Sequence, residues 1–456
     1  MRENLNLTEG NISSTLAKLA LPIMGTAFIQ MAYNLIDIMW LGRLSTNAVA
    51  AAGTAGYFMW FGEGLVMISQ IGLGVCVAQS YGREEYIEAK EYVSNGIQLD
   101  LGIAILYSLI LYIFSSQIIG FFNINSIEVY NMSVDYLKII AIGMAFHFLN
   151  PVLSVILNSS GNSITPFKVN TIGLIINIVL DPLLIFGFGP IKGLGVEGAA
   201  LATVLSQVIV FLIFFILGKR TDRLYSHIKL WKKPEFTYIK RIVKLGFPAF
   251  LQISAHSSIS MILTRIIADF GAVPIAVQSV GSKIESISWM TSDGFAAAIT
   301  AFMGQNYGAK KYDRIKEGYR KAMEIVGGIG IFATLLLILG ARPLFKIFIP
   351  NDPQAIEVGV NYLRILGVSQ FFMSVEIGTV GSFNGLGRTL TPAVVGVSLN
   401  ALRIPLAIFL SRYTALALDG IWWSISISSV LKGIILPVLF IRLLRNNFNY
   451  NNDMIY

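Results

Sequence analysis

The chain has 456 residues, 55% of them hydrophobic and only 13% charged, with a mean hydropathy of +0.67. About a quarter of residues are charged in a soluble domain, so this composition excludes one and points to a chain solvated by a bilayer. The net charge of +8 lies in the connections between apolar stretches, which argues against nucleic-acid binding, and a single cysteine, Cys76, excludes an internal disulfide.

The polar residues 1–11 lead into a helix too long to be the apolar region of a cleavable signal, so no such signal is expected. Twelve apolar segments follow: 16–41, 48–73, 95–116, 134–158, 166–188 and 194–217, then 243–267, 275–301, 320–341, 359–383, 391–411 and 419–441. The first contains one carboxylate, Asp37. Gln30, Asn34 and Asp37 stand at i, i+4 and i+7, on one face of that helix. An ionisable group there costs about 2.5–3.5 kcal/mol on insertion scales, so it should face a cavity or a partner. In the fifth segment Asn177 and Asp181 share a face at i, i+4. Pro182 removes a backbone donor beside them and leaves the Ile178 carbonyl available. At about 1.5 Å per residue, Asp181 lies roughly 22 Å from the cytoplasmic start of its helix. Thr203 in the sixth segment and Asp37 reach a similar depth. Two carboxylates, a carboxamide and a hydroxyl suit a hard cation or a proton shared between carboxylates; an interhelical hydrogen-bond cluster that merely holds the bundle is the competing reading. Gly193-x-Gly195-x-x-Gly198 spells a dinucleotide fingerprint without a βαβ unit around it, and reads as a tight turn between helices.

Basic residues set the orientation. Nine lie between 218 and 244 (Lys219, Arg220, Arg223, Lys229, Lys232, Lys233, Lys240, Arg241, Lys244) and six between 305 and 321 (Lys310, Lys311, Arg314, Lys316, Arg320, Lys321). The opposite loops hold one or two each, which puts both termini and the two basic connections in the cytoplasm.

The chain also repeats itself. At an offset of 226, Pro22 meets Pro248; Gln79, Tyr81 and Gly82 meet Gln305, Tyr307 and Gly308; and Asn158, Gly161, Thr165 and Pro166 meet Asn384, Gly387, Thr391 and Pro392. A shift of three residues then pairs Asn177 and Pro182 with Asn400 and Pro405, and one residue more pairs Gly198 with Gly420. The expected fold is an all-α integral membrane protein with twelve transmembrane helices in two parallel-duplicated six-helix bundles. They are the lobes 1–217 and 243–456, with a basic linker at 218–242. The halves differ where it matters: Asp37, Asp181 and Thr203 correspond to Leu263, Ile404 and Ile425, whereas His256, Glu376 and Arg403 replace Gln30, Asn150 and Leu180. Glu376 and Arg403 are expected to neutralise one another or to contact substrate. Glu63 and Asp293 are candidates for a cavity wall or for structural hydrogen bonds.

The paired halves, YNLIDIMWLG after a first-helix proline, NIVLDPLLIFGFG in the fifth helix and GVEGAALATV in the sixth resemble the multidrug and toxic compound extrusion (MATE) transporters over essentially the whole chain. The resemblance implies a V-shaped pair of bundles that exports bulky, often cationic compounds against inward Na⁺ or H⁺. It assigns the ion site to Asp37, Asn177, Asp181 and Thr203, as Na⁺ ligands or proton carriers. Gln30, Tyr33, Tyr136 and Asn150 match neighbouring polar positions of that lobe, and with Asn34, His256 and Glu376 they are the candidate cavity residues. Another branch of the family uses acidic residues of the seventh and tenth helices; Glu376 matches the latter, but the seventh-helix position is His256.

The expected protein is therefore a cation-coupled antiporter working by alternating access in the cell membrane. Its partners would be small organic substrates and membrane lipid, not nucleic acid, and it would act as a monomer. No enzyme signature stands in the short soluble segments, and no cofactor is expected beyond the coupling ion. The alternatives are a flippase for a lipid-linked precursor, which should have extra helices and a cationic cavity, and a non-transporting receptor or scaffold.

Overall fold

The computed structural model describes residues 4–124, 126–221, 232–350 and 352–448; within the linker, Arg223 and Lys229 lie outside the described residues. The first half runs α1 (Ile12–Leu44), α2 (Thr46–Gly82), α3 (Tyr86–Ile113), the short α4 (Ser115–Gly120), α5 (Ile127–Ser159), α6 (Ile164–Phe186) and α7 (Val196–Thr221). The second runs α8 (Phe236–Ala268), α9 (Ala272–Gly308), α10 (Tyr312–Leu339), the short α11 (Ala341–Phe348), α12 (Pro353–Gly385), α13 (Leu390–Ala401), α14 (Arg403–Tyr413) and α15 (Leu418–Phe448). With α13 and α14 taken as one crossing, this is the expected set of twelve membrane helices. Among the described residues, ten are long and apolar enough to cross a membrane on their own. The other two are α8 and α9. α8 falls short because Gln252, His256 and four serines dilute its uncharged stretch 245–264, and α9 because Lys283, Glu285 and Asp293 join its other polar residues. Their apolar counterparts in the first half, α1 and α2, qualify.

The duplication extends to backbone detail. The starts of α9, α10 and α12 stand at one offset from those of α2, α3 and α5 (272 against 46, 312 against 86, 353 against 127, each 226). The turns after α2 and α9 each place a non-glycine residue in the left-handed region, Glu84 at φ 62° and Lys310 at φ 57°. One departure from the expected spans is the break of the eleventh segment at Leu402. Pro405 has no N–H to give to the Ala401 carbonyl, and its ring crowds that oxygen, so the helix ends there and restarts. A second is a two-stranded hairpin after α6: β1 (Gly187–Phe188) pairs antiparallel with β2 (Ile191–Lys192). The Gly-rich stretch then turns against the end of α6, Leu194 and Gly195 donating to the Leu184 and Ile185 carbonyls at 2.8 and 3.0 Å.

The chain forms two compact units, one of Met1–Leu5 and Leu21–Phe247, the other of Asn6–Ala20 and Pro248–Tyr456. In the first, α5 is the hub, packed on α2, α3 and α7, with Phe148, Leu153 and Ile156 buried in its core and Cys76 among them. In the second, α12 plays the same part against α9, α10 and α15. Each unit also ties down the segment that leads into one repeat. In the second, Asn306 donates to Leu7 O (3.0 Å), Lys311 to Thr8 O (2.9 Å) and Arg314 to Glu9 O (2.6 Å). In the first, Gln98 donates to Lys232 O (2.8 Å) and Glu235 N to Asn95 Oδ1 (2.7 Å). Glu235 and Glu91 both accept from the Lys232 ammonium and hold its pKa above the ordinary lysine value. Lys311 and Arg314 of the 305–321 connection therefore bind backbone carbonyls of the N-terminal segment, while Lys232 of the other connection meets carboxylates.

Close backbone approach fixes how α8 begins. In the first unit, a Cβ on Gly246 would sit 1.9 Å from Ile68 O, and one on Gly72 would sit 2.1 Å from Ile242 O. Each glycine thus faces the other helix's backbone, which no rotamer change can relieve. Gly246→Ala is expected to cost at least about 1–3 kcal/mol of overpacking and to lower the melting temperature of the purified protein by several degrees. Gly53→Ala, with no atom within 4 Å of its Cβ, is the matched control. Equal melts for the two variants would refute this packing.

Candidate functional site

The fold brings Asp37 (α1), Asn177 and Asp181 (α6) and Thr203 (α7) into one cluster inside the first unit. The i, i+4 spacing on α6 lets Asn177 Nδ2 donate to Asp181 Oδ1 at 3.1 Å. Thr203 Oγ1 lies 3.1 Å from Asp37 Oδ2 and also 3.1 Å from Ala199 O, so its single proton serves two acceptors. The two carboxyl groups neighbour each other directly. Asn177 and Asp181 are fully buried and Thr203 nearly so, while Asp37 is half-buried.

What the cluster lacks is donors. Asp37 Oδ1, Asn177 Oδ1 and Asp181 Oδ2 are all buried without a hydrogen-bond partner. Three unsatisfied oxygens, two of them on carboxylates facing one another, form an arrangement that folding alone does not favour. A cation or a shared proton would satisfy it. The donor set is hard and all-oxygen, which fits Na⁺ better than a soft metal. Among the described residues, no three His, Cys, Asp or Glu side chains converge on a common point.

Two tyrosines border the cluster. The Tyr33 hydroxyl, on α1, packs against Gly173 of α6, where an added Cβ would lie 2.6 Å from it, so this glycine is the space that Tyr33 occupies. That hydroxyl is buried without a hydrogen-bond partner and lies near both carboxylates. Tyr136 on α5 is buried and also near both. Beyond Asp37, Trp40 meets Phe186 edge-on at 6.2 Å and carries the Arg43 guanidinium over its ring at 4.7 Å, closing the end of α1 over that of α6.

The remaining sequence candidates lie apart from this group. Gln30 and Asn34 are exposed on α1, and Asn34 Nδ2 donates back to Gln30 O at 3.2 Å. Asn150 turns to α7, donating to Gln207 Oε1 (2.7 Å) and Gln207 O (2.9 Å). Glu63 and Asp293 are exposed on α2 and α9.

In the second unit the expected Glu376–Arg403 pairing is not made. Glu376 on α12 instead forms a buried ion pair with Lys432 of α15, Nζ to Oε1 at 2.8 Å. Arg403, at the start of α14, donates from Nε to Ser428 Oγ (2.5 Å) and from a terminal nitrogen to Ser429 Oγ (3.3 Å). α15 presents Ser428, Ser429 and Lys432 along one face, where the two hydroxyls accept from Arg403 and the ammonium meets Glu376. His256 on α8 lies within electrostatic range of Arg403 and Lys432. Where the first unit gathers Asp37, Asp181 and Thr203, the second packs their counterparts Leu263, Ile404 and Ile425 into an apolar cluster.

Sequence reasoning missed Lys432 and Gln207. Lys432 left a signal, being the lone basic residue of the apolar segment 419–441.

The MatE family model matches residues 22–183 and, again, 248–409 of this chain. Among curated relatives, the probable multidrug resistance protein NorM of Thermotoga maritima is 27% identical over 413 residues, covering 90% of this chain and 88% of the relative. The multidrug export protein MepA of Staphylococcus haemolyticus is 23% identical, covering 96% and 95%. Among solved structures, a MATE in complex with MaD5 superposes with a TM-score of 0.88 at 22% identity, covering 98% of this chain and 100% of that one. The Vibrio cholerae MATE transporter VcmN, solved as a mutant, superposes with a TM-score of 0.87 at 19% identity, covering 97% and 99%.

Proposed function

The chain belongs to the MatE family, membrane transporters and not enzymes, and on that premise we propose that it exports organic compounds, many of them cationic, in exchange for inward Na⁺ or H⁺. The observation that carries the coupling is the cluster of Asp37, Asn177, Asp181 and Thr203, with its three buried oxygens that lack a partner. The names of the NorM and MepA relatives support drug-like cargo.

The proposed mechanism follows from charge. With no cation present, Asp37 and Asp181 repel across a poorly solvated gap. A Na⁺ ion, or a proton, removes that repulsion and draws α1 onto α6 and α7. An ion drives a conformational cycle only if its affinity differs between the states of that cycle, since equal affinity shifts nothing. A site assembled from three helices meets that requirement, because any movement of α1 separates Asp37 from Asp181 and Thr203. Na⁺ is the favoured ligand: Asn177 and Thr203 add neutral oxygens that coordinate a metal ion and that a proton does not need. Within the first unit, Gln30, Asn34 and Tyr33 on α1 and Tyr136 and Asn150 on α5 are proposed substrate contacts; within the second, His256 and Glu376 are. The protein is proposed to act as a monomer in the cell membrane with both termini and the 218–242 linker in the cytoplasm.

Uptake of a fluorescent organic cation from the bath into everted vesicles, whose outer face is the cytoplasmic one, tests the coupling. An imposed Na⁺ gradient should accelerate transport over choline at constant pH; indifference to both Na⁺ and pH gradients would end the antiport reading. Orientation is checked with thiol labelling in a Cys76→Ala background. Lys232→Cys should resist an impermeant maleimide in intact cells, and Asn123→Cys, in the exposed turn between α4 and α5, should react. The opposite pattern would invert the topology and the direction of export.

A further inference from the structure

The ion pair on α12 and α15 has an equivalent in the first unit, and the difference between them is informative. Glu376 occupies the repeat position of Asn150, and both use the hub helix to reach the last helix of their unit. In the first unit the contact is neutral, Asn150 amide to Gln207. In the second it is charged: Glu376 and Lys432, 5% and 6% exposed, meet at 2.8 Å. Glu376 Oε2 remains buried without a hydrogen-bond partner. The carboxylate therefore has an open coordination position, filled on one side only, by an ammonium that belongs to the chain.

We propose that Lys432 is a tethered cation: its ammonium holds against Glu376 the place that a mobile Na⁺ would otherwise take, which silences the second unit as an ion site and restricts coupling to one site per molecule. A buried carboxylate must have a counter-charge. A mobile counter-ion can leave, and its leaving is what couples an ion gradient to conformation; one fixed to α15 cannot. Other charges nearby do not take over this task. Arg403 is held by the Ser428 and Ser429 hydroxyls, Glu285 accepts from Gln370 Nε2 at 2.9 Å, and His256 lies within electrostatic range of Arg403 and Lys432. Leu263, Ile404 and Ile425, in an apolar cluster, replace the two acids and the hydroxyl of the first-unit site and leave only Asn400 at the position of Asn177. The inference goes beyond the proposed function and shares with it only the assumption that the first unit holds the mobile ion.

The test uses the full-length protein in an Asp181→Asn background, so that the first-unit site is weakened from the start. Melting temperatures are measured at pH 8.5 in NaCl and in choline chloride, with Na⁺ as the probe. Adding Lys432→Met should create a Na⁺-dependent rise of a few degrees that the background lacks, and adding Glu376→Gln to that variant should abolish it. Lys432→Gln, which keeps a polar side chain, should behave like Lys432→Met. The idea is overturned if neither lysine variant gains a Na⁺ response. It is equally overturned if both stay unfolded in high NaCl while the charge-neutral Glu376→Gln/Lys432→Met protein folds, since a mobile cation then cannot replace the ammonium. Should the Asp181→Asn background itself keep a full Na⁺ response, the first-unit assignment fails, and the increment conferred by Lys432→Met still reports on this one.

Discussion

Asp37→Asn is expected to stop ion-driven export and to remove most of the Na⁺ stabilisation of the purified protein, while leaving it folded and inserted. Asp37 Oδ1, Asp181 Oδ2 and Asn177 Oδ1 are buried and unpaired, so the wild-type cluster gains from any cation that enters it. At a Na⁺ concentration of 100 times the dissociation constant, that gain is about 2.7 kcal/mol. The substituted amide removes one of two facing charges and can donate a hydrogen bond to Asp181, so the reason to bind Na⁺ largely disappears while the packing is kept. The sign of the pH dependence follows. In wild type the Na⁺ effect is fullest where both carboxyls are ionised and weakens as pH falls and protons take the same place; in Asp37→Asn it is small at every pH. Melts in NaCl against choline chloride at two pH values, with transport assayed at equal expression, check both halves. Wild-type efflux in the variant would sink the ion-site reading, and an unchanged Na⁺ shift would move the sodium site elsewhere.

Glu376→Gln alone and Lys432→Met alone, in an otherwise wild-type chain, are each expected to cost about 3–5 kcal/mol, because each leaves a buried charge without its partner. The double variant should recover most of that loss. A buried ion pair roughly offsets its own desolvation, so replacing both members by neutral groups of similar volume is close to neutral. A cycle of four melting curves measures the coupling directly. Additive losses, with the double variant as unstable as the sum of the singles, would show that the two side chains do not interact energetically. In contrast to Asp37→Asn, Glu376→Gln is expected to leave the Na⁺ response intact even though it lowers stability. The two predictions thus separate an ion site from a structural charge pair.

Much of the architecture was legible in the sequence because hydropathy and the internal repeat constrain it twice. Twelve apolar segments became twelve crossings, and positions paired at 226 residues fell in equivalent helices. The first-unit cluster was legible for the same reason: Asp37, Asp181 and Thr203 are polar where the repeat has Leu263, Ile404 and Ile425. Pairing between particular side chains was not legible. Glu376 and Arg403 are opposite charges at matching depth, but depth does not say which helix face looks at which neighbour, and α15 interposes Ser428 and Ser429. Lys432 was in view, aligned with Val210 at the offset of 222 that links Gly198 to Gly420, yet a lone lysine in an apolar helix does not name its partner. Gln30 and Asn34 share a face with Asp37 by spacing, but Thr203 and Asp181 approach only its far end, and the two amides stay exposed. The hairpin of β1 and β2 is too short to leave a period-2 pattern, and the break before α14 was carried by Pro405 alone.

The apolar cluster of Leu263, Ile404 and Ile425 bears on what the first unit's carboxylates are for. The chain contains two solutions to the same folding problem. One fills the gap between the first, fifth and sixth helices of a repeat with hydrocarbon; the other fills it with two acids and a hydroxyl. The hydrocarbon version belongs to a repeat with the same helix order, although its fifth helix breaks into α13 and α14. Burying two acids without donors costs a fold more than burying hydrocarbon, which is support for the ion site proposed in the first unit.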